Sequence, residues 1–217
     1  VQTGQPWRSA ELDNQLNDVE WPLYYLDFEA FQPALPRFVG TKPYQAIPFQ
    51  FSLHIQAGPS EPIEHLEYLH TENTDPRPAL IERLLAAIGE SGSVVVYSGY
   101  ERQILNALAT AFPEHAVKLH ALTERLWDLL PIIQNHYYHP DFRGSFSIKS
   151  VLPALLPEAG WSELEVADGR SAVLMYEQAL ESKDEAMQDW LFDALRAYCK
   201  QDTLAMVKVR EALSGSH

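Results

Sequence analysis

Tyr24-Tyr25-Leu26-Asp27-Phe28-Glu29 is the stretch on which the reading of this chain turns. It opens as an apolar run and ends in two acids spaced i, i+2. A strand over Leu23 to Phe28 puts both carboxylates on one face. Like charges held side by side at a buried strand end are unfavourable unless a cation sits between them. Carboxylate oxygens are also the natural ligands of hard ions such as Mg²⁺ and Mn²⁺. Asp-x-Glu alone is a weak motif, and the apolar run in front of it is what sets it apart from ordinary solvated charges.

The other end of the chain carries a matching pair. Tyr198-Cys199-Lys200-Gln201-Asp202 reads as helix, where a spacing of four places Tyr198 and Asp202 on one face. That helix, roughly Glu185 to Leu213, shows Leu191, Leu195, Tyr198, Asp202 and Val209 along a common side. A carboxylate on an apolar stripe costs several kcal/mol unless a metal or basic group answers it. Asp202 is therefore a better functional candidate than Glu181, Asp184 or Glu185. Cys199 is expected to face away from Asp202 and to pack.

Between these ends the elements follow a definite order. Phe49 to Ile55 alternates as a half-buried strand, and His65 to His70 is its expected partner. Asp75-Pro76 reads as a helix start, with Leu80, Ile81, Leu84, Leu85 and Ile88 at helical spacing and Gly89 at the end. Val94 to Tyr97 has the β-branched character of a buried central strand. Ser98-Gly99 turns the chain, Ile104, Leu105, Leu108 and Phe112 mark the next helix, and Pro113 stops it. Arg125 to Leu130 is a further strand candidate, and the pattern from Ile148 onward is helical. Strands that come first with hairpin-like links, then alternate with helices, predict a mixed sheet with helices on its faces.

With 217 residues and 46% hydrophobic content, the chain suits one large globular domain. No apolar run approaches the ~18 residues that span a bilayer. Nothing at the N-terminus reads as a signal peptide, and a single cysteine excludes an intramolecular disulfide framework. The expectation is a cytoplasmic setting without membrane association. The chain begins at Val1, and residues 1–20 read as an arm or linker, residues 21–213 as the domain and residues 214–217 as a tail. A domain of a longer protein is expected. Thirty acids against sixteen bases give −14, the opposite of a charge-driven nucleic-acid binder. Bound divalent ions would soften that conflict by adding positive charge where a phosphate must sit.

Pro33, Pro36, Pro43 and Pro48 break regular structure between Phe31 and Pro48. Because the segment follows the two acids, it is expected to overhang them. Two readings are balanced: Phe31, Arg37, Lys42 and Tyr44 contact bases and phosphates, or the aromatics plug the domain from a surface loop. Other chemistries find little support. His136 and His139 could suit zinc, but no Cys or further His follows at a finger-like interval. His54, His65 and His70 read as core or edge residues. There is no Gly-x-Ser-x-Gly elbow and no Walker-type phosphate loop.

The ordered set of motifs resembles a known group. Asp27-Phe28-Glu29, then Tyr100-Glu101-Arg102-Gln103-Ile104-Leu105, then Tyr198-x-x-x-Asp202 resemble the DEDDy 3′→5′ exonucleases, which have the ribonuclease H-like fold. Trp127-Asp128-Leu129 resembles a later sheet strand of these enzymes, and Phe146 to Leu152 a helix that follows it. More narrowly, Leu26-Asp27-Phe28-Glu29-Ala30-Phe31, Pro48 to His54 and Gly144 to Pro153 resemble an uncharacterised bacterial exonuclease-like domain family, over nearly the whole chain beyond residue 20.

The resemblance implies an α/β fold with a mixed sheet of about five strands, the first three antiparallel, and helices on both faces. It implies two divalent ions, Mg²⁺ or Mn²⁺, about 4 Å apart. Asp27 and Asp202 would be metal ligands, Glu29 would bind the second ion or the attacking water, and Tyr198 would orient that water. The second motif departs from the family by offering Glu101 where Asp is usual and by lacking an Asn in the turn. Asp128 is the nearest substitute, and Glu101 is preferred because it matches the motif frame. Arg143 and Lys149 are the expected phosphate contacts, with Arg77 and Arg102 as second choices and Arg77 more plausibly a solvated charge. Phe28 and Phe31 are further candidates for substrate contact.

The implied activity is 3′→5′ cleavage of single-stranded DNA or RNA or of short oligonucleotides. A degenerate domain that binds nucleic acid or a protein partner, and a phosphoesterase acting on nucleotides, stand as alternatives.

Overall fold

The computed structural model describes residues 4–161, 164–166 and 168–215. In chain order its elements are β1 (Trp7–Arg8), α1 (Leu12–Asn17), β2 (Leu23–Phe31), β3 (Ile47–Gln56), β4 (Ile63–Leu69), α2 (Arg77–Ala87), β5 (Ser93–Val96), α3 (Tyr100–Ala111), α4 (Ala116–Glu124), β6 (Leu126–Asp128), α5 (Leu129–His136), β7 (Tyr137–Tyr138), α6 (Ile148–Leu155), α7 (Gly169–Glu181) and α8 (Glu185–Ser214). Five strands form one sheet in the order β4-β3-β2-β5-β6. The first three pair antiparallel, while β5 and β6 run parallel to β2. This is the mixed α/β architecture that the order of elements predicts.

Alternation along β2 assigns its two faces to different helices. Tyr24, Leu26 and Phe28 pack with α2, α3 and α4 through Leu84, Ile104 and Leu122. Leu23 and Tyr25 point the other way, onto Met206 and Val207 of α8. Farther along that second face, Phe31 and Phe49 meet Tyr176 of α7 and Leu195 of α8. Covering on both sides explains why Leu23 to Leu26 is a continuous apolar run rather than an alternating one. The β-branched run Val94 to Val96 sits between β2 and β6, in the interior of the sheet.

Pro48 lies inside β3, where the sequence suggested broken structure. It pairs with Ala30 just past a register shift between Glu29 and Ala30. A bulge tolerates a residue that cannot donate to the ladder.

Residues 7–17 are a packed element rather than an arm or linker. Leu12 and Leu16 are fully buried among α5, α6 and the end of α8, β1 pairs with β7, and Arg210 Nη2 donates to Leu16 O at 3.0 Å. At the other end, α8 closes at Ser214, and residues 216 and 217 of the expected tail lie outside the described residues. Among the described residues no helix is long and apolar enough to cross a membrane.

The loop between β2 and β3 does not overhang the two acids. Phe38 packs edge-on against Phe31, Arg37 pairs with Glu177 of α7 at 2.5 Å, and Arg77 Nη2 reaches Val39 O at 3.5 Å. The plugging reading describes Phe31 and Phe38, whereas Tyr44 is exposed. Arg77 itself is buried, paired with Asp75 at 2.6 Å and stacked over Phe112, so it is neither a solvated charge nor a phosphate contact.

Because α1 is anchored by two fully buried leucines, Leu16→Ala is expected to lower unfolding free energy by about 2–5 kcal/mol in urea titrations. Unchanged stability would show that the N-terminal segment is dispensable.

Candidate functional site

The position of the acids follows from unequal strand lengths. The parallel pairing of β2 with β5 ends at Tyr25↔Val95, and β2 runs on. Asp27 and Glu29 therefore stand in the crevice beyond the carboxyl end of β5, the place where open α/β sheets bind ligands. On their other side they lie opposite Ser52 and Gln50 of β3.

Polar ties to those same two residues set α8 across the sheet. Ser52 Oγ bonds Thr203 Oγ1 at 2.8 Å, and Gln50 Nε2 donates to Leu195 O at 3.1 Å. His54 Nδ1 also meets Thr203 Oγ1 at 2.7 Å, and His65 Nε2 meets Ser52 Oγ at 2.9 Å. Burial lowers both histidines to about 4, so they are neutral braces at physiological pH.

With α8 held this way, Tyr198, Cys199 and Asp202 face the acids of β2. Ser98-Gly99 then turns the chain into α3 and delivers Glu101 from its first turn. Ser98 adopts φ +148°, a conformation that costs a non-glycine residue roughly 1–3 kcal/mol. Tyr97 Oη donates to Phe146 O at 2.7 Å and so fixes the approach to α6, which supplies Lys149. The result is a cleft of about 290 Å³ lined by Asp27, Glu29, Tyr100, Glu101, Lys149, Tyr198 and Asp202, among others.

Burial pushes every carboxyl in this cleft upward, and repulsion from neighbouring cleft acids adds to it at Asp27 and Glu29. Asp27 is raised well above its usual range by desolvation, then by the charges of Asp202, Glu29 and Glu101. Glu29 rises to about 8 through burial and the Asp202 charge, against the pull of Lys149. Glu101 rises to about 7, chiefly by burial and then by the Asp128 charge. Its Oε2 is buried and has no hydrogen-bond partner among the described residues. Asp202 rises to about 6, limited by Lys149 and by hydrogen bonds from Trp161 and Tyr198.

Tyr198 is braced on both sides. Lys149 Nζ donates to its hydroxyl oxygen at 3.0 Å and lies 4.7 Å from its ring centroid. Trp161 Nε1 donates to Asp202 Oδ1 at 2.7 Å. Burial and the nearby carboxylates drive the Tyr198 hydroxyl above its ordinary value, so it stays protonated and acts as a hydrogen-bonding group rather than a base.

The structure thus brings Asp27, Glu29, Glu101, Tyr198, Asp202 and Lys149 to one cleft. Asp128 is engaged elsewhere, accepting from Leu130 N at 3.0 Å as the cap of α5. That leaves Glu101 as the acid of the middle motif in the cleft. Other expected contacts are not there. Phe28 lies on the opposite face of the sheet, in the core with α2 and α3. Phe31 is 3% exposed and enclosed by Phe38, Phe49 and Tyr176, so it cannot stack on a base. Arg143 is exposed, in a left-handed turn after Phe142, and does not line the cleft. His136 meets Ser9, and His139 meets Asp141, so these two share no site.

Cys199 overturns its expected orientation. Its Sγ lies 3.8 Å from Asp27 Oδ2, and donor atoms of Asp27, Glu29 and Cys199 all fall within 4.8 Å of one another. Residues three apart on a helix differ by only about 60° in direction, so Cys199 and Asp202 share a face after all. That signal was available in the spacing. Tyr100 also lines the cleft, and its place beside Glu101 could have flagged it. Trp161, far along the chain from Asp202, left no such trace.

Residues 24–147 match the sequence profile of a family described as Domain of unknown function (DUF2779). The chain belongs to that family. The matched region holds Asp27, Glu29 and Glu101, while Lys149, Tyr198 and Asp202 lie beyond it. No curated protein and no solved structure matches the chain.

The raised carboxyls set the pH dependence of the ion-free protein. Glu29 and Glu101 keep protons in the folded state up to about 8 and about 7, whereas the unfolded chain releases them near 4.5. Across that window the unfolded state binds fewer protons, so stability falls as pH rises. A divalent cation should reverse the trend. Mn²⁺ at about a hundred times its Kd is expected to add ~2.7 kcal/mol, or about 5–10 °C in Tm, near pH 8 and much less near pH 5. Asp27→Asn should raise ion-free stability near pH 8 by on the order of 1–2 kcal/mol and remove most of the Mn²⁺ shift. Thermal melts across pH with and without Mn²⁺ check both outcomes.

Proposed function

We propose that this chain is a metal-dependent 3′→5′ exonuclease domain acting on single-stranded nucleic acid or short oligonucleotides. The observation that carries the reading is the convergence of Asp27, Glu29, Glu101, Tyr198 and Asp202, from three elements, on one cleft. The ordered motif resemblance to DEDDy exonucleases supports the same assignment.

The donor set fits divalent cations. Buried carboxyls that raise one another, and an orphaned Glu101 Oε2, are what cation ligands look like without their ion. Asp27, Glu29, Glu101 and Asp202 would hold Mg²⁺ or Mn²⁺. Bound there, such ions would neutralise phosphodiester charge and make an attacking water more acidic.

The remaining roles belong to the chain. Tyr198 keeps its proton, which is engaged by Asp202, and its hydroxyl oxygen keeps a lone pair that can accept from, and so orient, a water. Lys149 sets the Tyr198 ring and brings positive charge into an otherwise acidic cleft. A space of about 290 Å³ is at the small end of ligand pockets, which suits a flexible strand end better than a duplex. The charge of −14 also favours short substrates over long ones. It equally motivates a second reading, a catalytically silent member of the family that binds nucleic acid or a protein partner.

End-labelled oligonucleotides with Mg²⁺ or Mn²⁺ separate the two. Stepwise loss of nucleotides from the 3′ end is expected, with activity down by at least ~10³ in Asp27→Ala and Asp202→Ala and by roughly 10–100-fold in Tyr198→Phe. Binding without turnover in either ion would support the second reading. Turnover undiminished by both alanine substitutions would rule out this cleft as the active site.

A further inference from the structure

Cys199 is the side chain that the exonuclease reading leaves unexplained. A buried cysteine is ordinarily a small apolar filler. This one is fully buried, yet it belongs to none of the apolar clusters that make up the core. Its Sγ is directed at Asp27 Oδ2, 3.8 Å away. Among the described residues, Asp27, Glu29 and Cys199 form a donor group whose atoms lie within 4.8 Å of one another. One four-coordinate ion with Zn–S and Zn–O bonds of about 2.3 and 2.0–2.2 Å sets its donors roughly 3.4–3.6 Å apart, so these side chains would close in slightly on binding.

A second, independent observation points to a ligand in the same place. Glu101 is 3% exposed, lines the cleft with Asp27 and Glu29, and its Oε2 has no hydrogen-bond partner among the described residues. A carboxylate oxygen left bare in a dry cavity is costly, and a cation held between it and the Asp27–Glu29–Cys199 group would satisfy it.

We infer that one cation position of this cleft is a mixed carboxylate–thiolate site, formed by Asp27, Glu29 and Cys199 with Glu101 beside it, that takes a borderline-soft divalent ion of the zinc class in preference to Mg²⁺. Thiolate ligands select such ions, whereas Mg²⁺ demands octahedral oxygen donors. Binding would release the thiol proton to solvent and form a metal–sulfur bond. Asp202 is not in this donor group and remains available to an oxygen-only position. The inference rests on the metal-dependent reading of the same site and assigns the identity of one of its ions.

Cadmium is the probe, because a Cd²⁺–thiolate bond absorbs in the ultraviolet by charge transfer and a Cd²⁺–carboxylate bond does not. The chain has a single cysteine, so any such band reports Cys199. Titration of the ion-free protein with Cd²⁺ is expected to give a charge-transfer band that saturates at one equivalent. Cys199→Ala and Cys199→Ser should abolish the band and weaken Cd²⁺ binding by at least the ~10-fold that even an outer-shell partner contributes. Mn²⁺ binding, followed by calorimetry, should change little in either variant. Cd²⁺ bound by the wild type without the band would overturn the thiolate assignment and leave the carboxylate site standing. Failure of the wild type to bind either Cd²⁺ or Mn²⁺ would overturn both readings.

Discussion

The seam between β2 and α8 is the constraint on which the rest of this molecule depends. β2 is the middle strand of the sheet and α8 is the longest helix. Apolar contacts alone would let a long helix slide along such a face, because burial is non-directional. Directional bonds remove that freedom. The Ser52–Thr203 and Gln50–Leu195 ties set both the rotation and the axial position of α8. With those set, Tyr198, Cys199 and Asp202 can only meet Asp27 and Glu29. The bond partners on the sheet are the cross-strand neighbours of the two acids, so the brace and the cleft are built on the same rungs of the ladder.

That seam holds charges in a place where they are unfavourable. Each cleft carboxyl is raised by burial before anything else, and at Asp27, Glu29 and Glu101 a neighbouring acid adds to the effect. Lys149 and the Trp161 indole answer part of this, mostly at Asp202. Asp27, Glu29 and Glu101 are left the most strongly opposed. On the proposed reading a cation would relieve this repulsion, and the free energy released would favour its binding. The acidic charge of the whole chain works against a long polyanion, and the local field at Lys149 works for a short one. Size of substrate is therefore the natural axis along which the proposed activity would discriminate.

Much of this was legible before the structure. Alternation in β3, the β-branched run of β5 and the helical spacing in α2, α3 and α8 each reflect burial on a known period, which sequence records directly. Asp27, Glu29 and Asp202 were legible because charges on apolar stripes are anomalous wherever they occur, and Tyr198 through its spacing of four from Asp202 in the ordered motif set. The short helix α1 was not, since Leu12 and Leu16 alone make too brief a pattern to separate from an arm. Phe28 was misplaced because successive side chains of a strand leave on opposite faces, so closeness to Asp27 and Glu29 in the chain does not put it beside them. Phe31 follows the acids along their own side of β2 but is enclosed by Phe38, Phe49 and Tyr176.

Periodicity and solvation act locally, so the sheet, the pair of acids at the end of β2 and the tyrosine and acid on one face of α8 could be read along the chain. Which further groups join them in the cleft is settled by packing between distant segments. Trp161 reaches Asp202 and Lys149 reaches Tyr198 across dozens of residues, and Arg143 does not arrive at all. Cys199 shows the boundary well. Its direction on the helix was computable from spacing, but its contact with Asp27 required α8 to be laid across β2 in one register, and that register is set by bonds between residues distant in the chain.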